Sequence, residues 1–308
     1  MDYDTLLDDE IRDYIRRTAE SYPDNAVDHS IDQQREFYNA SVAQFRQPRP
    51  EVVEVTEATV GYVQVRIYSA GDPTRTVLYC HGGGWVLGDL NSHDDICAEI
   101  CAQTGYRVVA VDYRLAPEHQ HPAQFVDAYE VAEWIAETYP GGMVLSGDSA
   151  GGALVACVAH AARGKIDDIL GQVLIYPVLG PEVERGSYIE HADAPMLTRA
   201  DMALYNSVRT GGQMPAAPDA TLLPLMDSDY ADLPPTVLFS ADVDPLRDDC
   251  RDYRDALQEA DVKVHWTNEE GLVHSYLRAR TTSSKARDSF ERISVAIEAL
   301  GQDLWGWD

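Results

Sequence analysis

The sequence predicts an α/β fold: an eight-stranded, mostly parallel sheet with helices on both faces and a helical cap. Three observations carry that expectation. Short β-rich runs alternate with helical patterns over most of the chain, the order produced by parallel strands joined through crossover helices. A Gly-x-Ser-x-Gly, Gly147-Asp148-Ser149-Ala150-Gly151, stands between the apolar run Met143-Val144-Leu145 and the small-residue run Ala153 to Ala159, which reads as strand, sharp turn, helix. A triple glycine, His81-Gly82-Gly83-Gly84-Trp85, directly follows another strand end.

Taken in order, residues 1–46 read as two helices. The first carries Asp8, Asp9 and Glu10 near its positive end and Leu7, Ile11, Tyr14 and Ile15 on one face. The second starts at Ser30, with Gln33 at capping-box spacing, and turns Ile31, Tyr38, Val42 and Phe45 inward. Gln47-Pro48-Arg49-Pro50 closes the pair. Val52 to Thr59 and Tyr62 to Tyr68 form a hairpin around Gly61, and Thr76 to Cys80 is a continuous apolar strand. A helix from Asp94 to Thr104, a strand from Val108 to Val111 and a helix opened by Pro122 come next. Beyond the Ser149 unit the strands are Val173 to Tyr176, Thr236 to Phe239 and Val262 to Trp266, and a helix spans Ser283 to Leu300. Only Pro181 to Met214 breaks the alternation, with Thr198 and Asp201 framing a helix start and Met202, Tyr205 and Val208 at helical spacing. Residues 1–46 and 181–214 are therefore assigned to a cap, and 47–180 with 215–308 to the catalytic domain.

Composition narrows the function. The net charge is −28 and only Lys165, Lys263 and Lys285 are lysines, a surface that repels phosphate backbones and anionic lipid. Neither nucleic acid nor membrane is expected as a partner. No apolar run is long enough to span a bilayer and the amino terminus is acidic, so a cytoplasmic protein without signal peptide is expected. Five cysteines, an odd number in mostly apolar surroundings, suit reduced core thiols better than a disulfide framework. Cys97 and Cys101 stand one helical turn apart, but no residue of ligand spacing follows them, and no metal site is expected.

The chemistry lies in the conjunction of motifs. A serine held on a strained corner needs a base, and the base needs an orienting carboxylate. His274, after the last strand, and Asp244, after the strand before it, both fall at carboxyl ends of strands, where open α/β sheets keep their ligands. Asp242 and Asp248 remain rivals for the acid and His265 for the base. Glycines without Cβ atoms leave their amides open to a cavity, so Gly82 and Gly83, with the amide of Ala150 after the serine, are the expected donors to an oxyanion. Trp85, Tyr205 and Val273 are the expected pocket residues, and Tyr14, Tyr38, Phe45 and Met202 offer further bulk for a lid.

His81 to Trp85, Tyr113-Arg114-Leu115-Ala116-Pro117-Glu118-His119, Gly147 to Gly152 and Asp244-Pro245-Leu246-Arg247-Asp248 together resemble the hormone-sensitive-lipase-like bacterial carboxylesterases of the α/β-hydrolase fold, in the branch with Asp before the nucleophile. The resemblance covers essentially the whole chain. It implies Ser149 as nucleophile, Asp244 as acid, His274 as base, a cap over the pocket, no cofactor, and a small-molecule ester as substrate. Two positions depart from the family pattern: Ser275 stands where glycine is usual, and Ala153 where asparagine is common. Arg114 and Glu118 are read as an ion pair of the scaffold. The expected reaction is hydrolysis of short-chain acyl esters through an acyl-enzyme. The alternatives are an amide, lactone or thioester hydrolase of the same fold, or a receptor that binds a small molecule without turning it over. A homodimer is the assembly considered.

Overall fold

The computed structural model describes residues 2–23 and 25–307. Its centre is one eight-stranded sheet in the order β1-β2-β4-β3-β5-β6-β7-β8. The strands are β1 (Glu54–Val60), β2 (Val63–Ser69), β3 (Thr76–Cys80), β4 (Arg107–Asp112), β5 (Met143–Asp148), β6 (Ile169–Ile175), β7 (Thr236–Val243) and β8 (Val264–Val273). β1 and β2 form the expected hairpin, Val60 facing Val63 across the turn at Gly61, where φ is +55°. β2 joins β4 antiparallel and every other pairing is parallel.

The central strands are apolar on both sides because both sides are covered. Leu78, Val109 and Leu145 share one core with Ala128, Val131, Leu154 and Leu257 from α4 (Ala123–Thr138), α5 (Ala150–Ala162) and α8 (Arg247–Glu259). Their neighbours in sequence, Val77, Val108 and Val144, share the opposite core with Ile96, Ile100, Ile293 and Ile297 from α3 (Asp94–Thr104) and α9 (Ser284–Gly301). This is the two-residue alternation of a pleated strand. Helix α8 was not anticipated from the sequence. Its Arg-Asp-Asp-Cys-Arg-Asp-Tyr-Arg-Asp stretch is dominated by charge, yet Cys250, Tyr253 and Leu257 recur at helical spacing and are fully buried.

The segments outside the sheet follow their caps. Asp8 accepts the Ile11 amide at the start of α1 (Asp9–Ala19), and Ser30 with Gln33 closes a capping box on α2 (Ile31–Ala43). Between β6 and β7 lie the single turn α6 (Ser187–Glu190) and α7 (Arg199–Thr210), which a Thr198–Asp201 box begins. The expected Arg114–Glu118 pair does not form. Arg114 reaches Asp127 of α4 at 2.7 Å and Glu118 is held by Arg35 of α2 at 2.7 Å, because residues four apart on this non-helical loop diverge towards different neighbours. Cys97 and Cys101 are both buried free thiols, and among the described residues no group of three or more His, Cys, Asp or Glu could hold a metal ion. No helix among the described residues is long and apolar enough to cross a membrane.

A net charge of −28 makes the folded state self-repelling at low ionic strength. The Debye length falls from about 30 Å at 0.01 M salt to about 3 Å at 1 M, so the melting temperature rises with NaCl across that range. Thermal unfolding followed at several salt concentrations checks this, and a flat or falling curve overturns it.

Candidate active site

Strand register brings the expected site residues to one edge of the sheet. Cys80 of β3 is level with Gly147 of β5, so the loop from His81 to Gly84 and the corner at Ser149 emerge side by side. Val243 of β7 is level with Val273 of β8, so Asp244 and His274 leave their strands together. Ser149 sits between β5 and α5 at φ +53° and ψ −121°, a left-handed conformation that a non-glycine residue adopts only when its surroundings impose it. The flanking glycines are required by proximity. A Cβ on Gly151 would lie 2.0 Å from the Cys80 carbonyl oxygen, and one on Gly147 would lie 2.6 Å from the same atom.

His274 bridges the other two. Its Nδ1 is 2.7 Å from Asp244 Oδ2 and its Nε2 is 2.9 Å from Ser149 Oγ. A carboxylate only accepts, so the ring proton on Nδ1 faces Asp244 and Nε2 is left to accept from the serine hydroxyl. Asp244 is fully buried and its other oxygen takes the Leu246 amide at 2.9 Å. The rivals are engaged elsewhere. Asp242 accepts from Asn268 at 2.8 Å and from the Gly271 amide at 3.3 Å, Asp248 accepts the Ser187 amide at 3.1 Å, and His265 lies within β8 stacked on Trp307.

One of the three amides expected to face an oxyanion is engaged elsewhere. Ala150 opens α5, where a first-turn N–H has no partner in its own helix. Gly82, however, is already spent: its N–H donates to Asp148 Oδ1 at 3.0 Å. Gly83 and Gly84 line the cavity instead, and neither amide donates to a protein acceptor among the described residues. Asp148 can claim Gly82 because it is a buried hub. It also accepts the Tyr79 hydroxyl at 2.9 Å, and both of its oxygens stand 3.3 Å from His93 Nε2. Burial alone would raise this carboxyl. The opposing pull of His93, the Arg278 charge and the Tyr79 hydrogen bond holds it well below the usual carboxylate range. His81 is stacked between Tyr113 and His93, and burial with the neighbouring His93 pushes it down to about 4, so it is neutral scaffold.

A cavity of ≈ 120 Å³ opens over Ser149. Residues 1–46 contribute Tyr14, Tyr22, Tyr38 and Phe45 to its wall, and residues 181–214 contribute Met202 and Tyr205. Trp85 and Val273 are not part of that wall. Trp85 is fully buried, with the Arg209 guanidinium 3.9 Å above its ring, because the backbone turns to φ +62° there and carries the indole away. Val273 is the last residue of β8 and is fully buried in the sheet core, while Val178 lines the cavity. The sequence reading missed Tyr22 and Arg278, which also line the wall. Arg278 donates to Tyr38 Oη at 2.8 Å and to the Ser92 carbonyl at 2.9 Å. Its signal was available only as the first of two basic residues, with Arg280, in the turn after His274. Ser275, at the usual glycine position, takes φ +63°, the region glycine favours, and its carbonyl accepts the Tyr14 hydroxyl at 2.9 Å.

The family profile described as the alpha/beta hydrolase fold matches residues 77–278. The chain is an α/β hydrolase. The four motifs place it in the hormone-sensitive-lipase-like branch. It is 34% identical over 288 residues to Esterase LipI of Mycobacterium tuberculosis, covering 89% of this chain and 90% of that one. It is 35% identical over 295 residues to Carboxylesterase NlhH of the same species, covering 87% of each. Among solved structures, the hyperthermophilic esterase from the archaeon Pyrobaculum calidifontis superposes with a TM-score of 0.86 at 29% identity, over 96% of this chain and 98% of that one.

One buried acid of this hydrolase shapes the wall from behind. Asp249 Oδ2 accepts the amides of Leu179 and Gly180, at 2.8 and 3.0 Å, and the Tyr188 hydroxyl at 3.2 Å, fixing the strand exit that carries Val178. Burial outweighs those bonds and pushes its carboxyl up from 3.8 to about 7. A raised folded-state value means that the folded form holds a proton the unfolded form has released, so the favourable contribution is complete below about 4 and disappears as pH rises through about 7. Asp249→Asn, which keeps an uncharged amide there, is expected to melt several degrees above the wild type at pH 8 and alongside it at pH 4. Equal melting temperatures at pH 8 overturn that expectation.

Proposed function

We propose that this hydrolase is a serine carboxylesterase that cleaves short-chain acyl esters through an acyl-enzyme. The observation that carries the reading is the hydrogen-bonded chain from Asp244 through His274 to Ser149, at 2.7 and 2.9 Å, on the floor of a walled cavity. Ser149 Oγ attacks the ester carbonyl as His274 Nε2 takes its proton, and the amides of Gly83, Gly84 and Ala150 stabilise the oxyanion. His274 then protonates the departing alcohol, and water repeats the sequence to release the acid. Asp244 keeps the imidazole in the tautomer both steps need. Acyl transfer of this kind calls on no cofactor. The names of the relatives, an esterase and a carboxylesterase, support the same reaction.

Residues 1–46 and 181–214 form the cap in this reading, over a catalytic domain of 47–180 and 215–308. A walled cavity gains about 0.8 kcal/mol for each acyl methylene it buries until the chain meets the wall. Activity on p-nitrophenyl esters of graded length therefore rises over the first carbons and falls after an optimum at about two to six, the range in which one added methylene still finds space. A best substrate beyond about twelve carbons rules out the cap, and no turnover of any ester rules out the enzyme. Five buried free cysteines support a reducing, cytoplasmic location, and light scattering tests for a homodimer.

A further inference from the structure

One part of the cavity wall carries two phenol oxygens without a good partner. Tyr22 and Tyr205 arrive from the two separate cap segments, and their hydroxyl oxygens stand 3.4 Å apart. An O–H···O bond ordinarily spans about 2.5–3.0 Å, so this contact is stretched beyond that range. Neither hydroxyl bonds another protein group among the described residues. Both phenols are held above their ordinary pKa, burial being the main cause, so they stay protonated and able to donate. The Tyr205 ring also packs against the glycine loop, since a Cβ on Gly84 would come within 2.6 Å of it. The same cavity is lined by the apolar Phe45, Leu87, Val178 and Met202, and Asp201 is the charged group whose field reaches both phenols.

Tyr205 is buried and Tyr22 half-buried, and a polar group withdrawn from water is costly unless it is bonded. An oxygen seated between the two hydroxyls would accept from both at ordinary length, because acceptor distances near 2.8 Å fit around a 3.4 Å pair. An anionic oxygen is disfavoured there. Asp201 acts on both phenols, whereas Arg278, the cation of the same wall, is bonded to Tyr38 and the Ser92 carbonyl, and the chain as a whole carries −28.

Resting on the esterase reading, we infer that Tyr22 and Tyr205 form a subsite for a neutral ether, keto or hydroxyl oxygen carried on one arm of the ester, a few bonds from the carbonyl that Ser149 attacks. The substrate class is thereby short esters bearing a second oxygen function, in preference to plain alkyl esters of the same length. A plain alkyl chain would fill the volume but leave two donors unpaired, and a site built for a hydrogen bond discriminates against the analogue that lacks it.

The test uses matched esters that differ by one oxygen in place of one methylene. On the acyl side these are p-nitrophenyl methoxyacetate and butyrate; on the alcohol side they are 2-methoxyethyl and butyl acetate, followed by acid release. The ratio of kcat/KM within a pair is measured for the wild type, Tyr22→Phe and Tyr205→Phe. Intrinsic reactivity cancels between proteins, and the fraction of folded enzyme cancels within each sample. For at least one pair, each variant is expected to lower the oxygen-to-methylene ratio by about tenfold, the effect of losing one neutral hydrogen bond. Ratios unchanged in both variants for both pairs overturn the subsite while leaving the esterase intact. Failure of the wild type to cleave any of the four esters overturns the esterase reading, and the subsite with it.

Discussion

Ser149→Ala and His274→Ala are each expected to lower kcat by about 10⁴-fold or more, and the double variant to be little worse than either. Non-additivity is the informative part. The hydroxyl is a poor nucleophile unless Nε2, 2.9 Å away, takes its proton, and the imidazole has no other task once the hydroxyl is gone. What survives is the contribution of the Gly83, Gly84 and Ala150 amides and of substrate positioning. Asp244→Asn belongs to the same unit. An amide at 2.7 Å from Nδ1 can donate to the ring and turn the imidazole into the wrong tautomer. Its loss should far exceed that of Asp242→Asn or Asp248→Asn, whose carboxylates serve Asn268 and Ser187. Normal turnover by Ser149→Ala, strictly additive losses, or a larger effect at Asp242 would each overturn the mechanism.

Deleting residues 1–46 should abolish useful activity although it removes no residue of the Ser149–His274–Asp244 chain. The segment does three things at once. It supplies Tyr14, Tyr22, Tyr38 and Phe45 to the cavity wall, and it covers the core with Leu7, Ile11, Val42 and Phe45. It also grips the turn that carries the base: Tyr14 bonds the Ser275 carbonyl next to His274, and Tyr38 accepts from Arg278 three residues further on. Once that grip is lost, a displacement of His274 by about 1 Å costs on the order of 10²-fold, before the newly exposed apolar surface promotes aggregation. Tyr14→Phe isolates the positioning part. It keeps the ring packed against Phe45 and removes only the hydroxyl, so kcat falls by about tenfold, one neutral hydrogen bond, with KM and melting temperature nearly unchanged. A fully active truncation would show that these helices neither wall the cavity nor hold the turn.

The strained serine corner, the glycine loop and the two residues at successive strand ends were legible in the sequence because each is encoded within a few residues. Gly147 and Gly151 stand where the β5-to-α5 crossing leaves no room for a Cβ next to Cys80, and the alternation of strands and helices sets Asp244 and His274 at the same edge as Ser149. The capping boxes at Ser30 and Thr198 were readable for the same local reason. Helix α8 was obscured because its charged residues outnumber the Cys250, Tyr253 and Leu257 stripe.

By itself the sequence determined the fold class, the order of the strands along the chain, the serine corner and the set from which a proposed acid and base had to come. Tertiary structure alone decided which amides of the glycine loop stay free, since Gly82 is claimed by Asp148, a carboxylate 66 positions away that the β3–β5 pairing brings alongside. It likewise turned Trp85 under Arg209 instead of into the cavity, separated Arg114 from Glu118, and set the Tyr22 and Tyr205 hydroxyls opposite one another from segments 183 positions apart. The physical reason is common to all of them. A motif fixes backbone conformation over a few residues, whereas a hydrogen-bond donor's partner is fixed by whichever acceptor the packing of distant elements brings within about 3 Å.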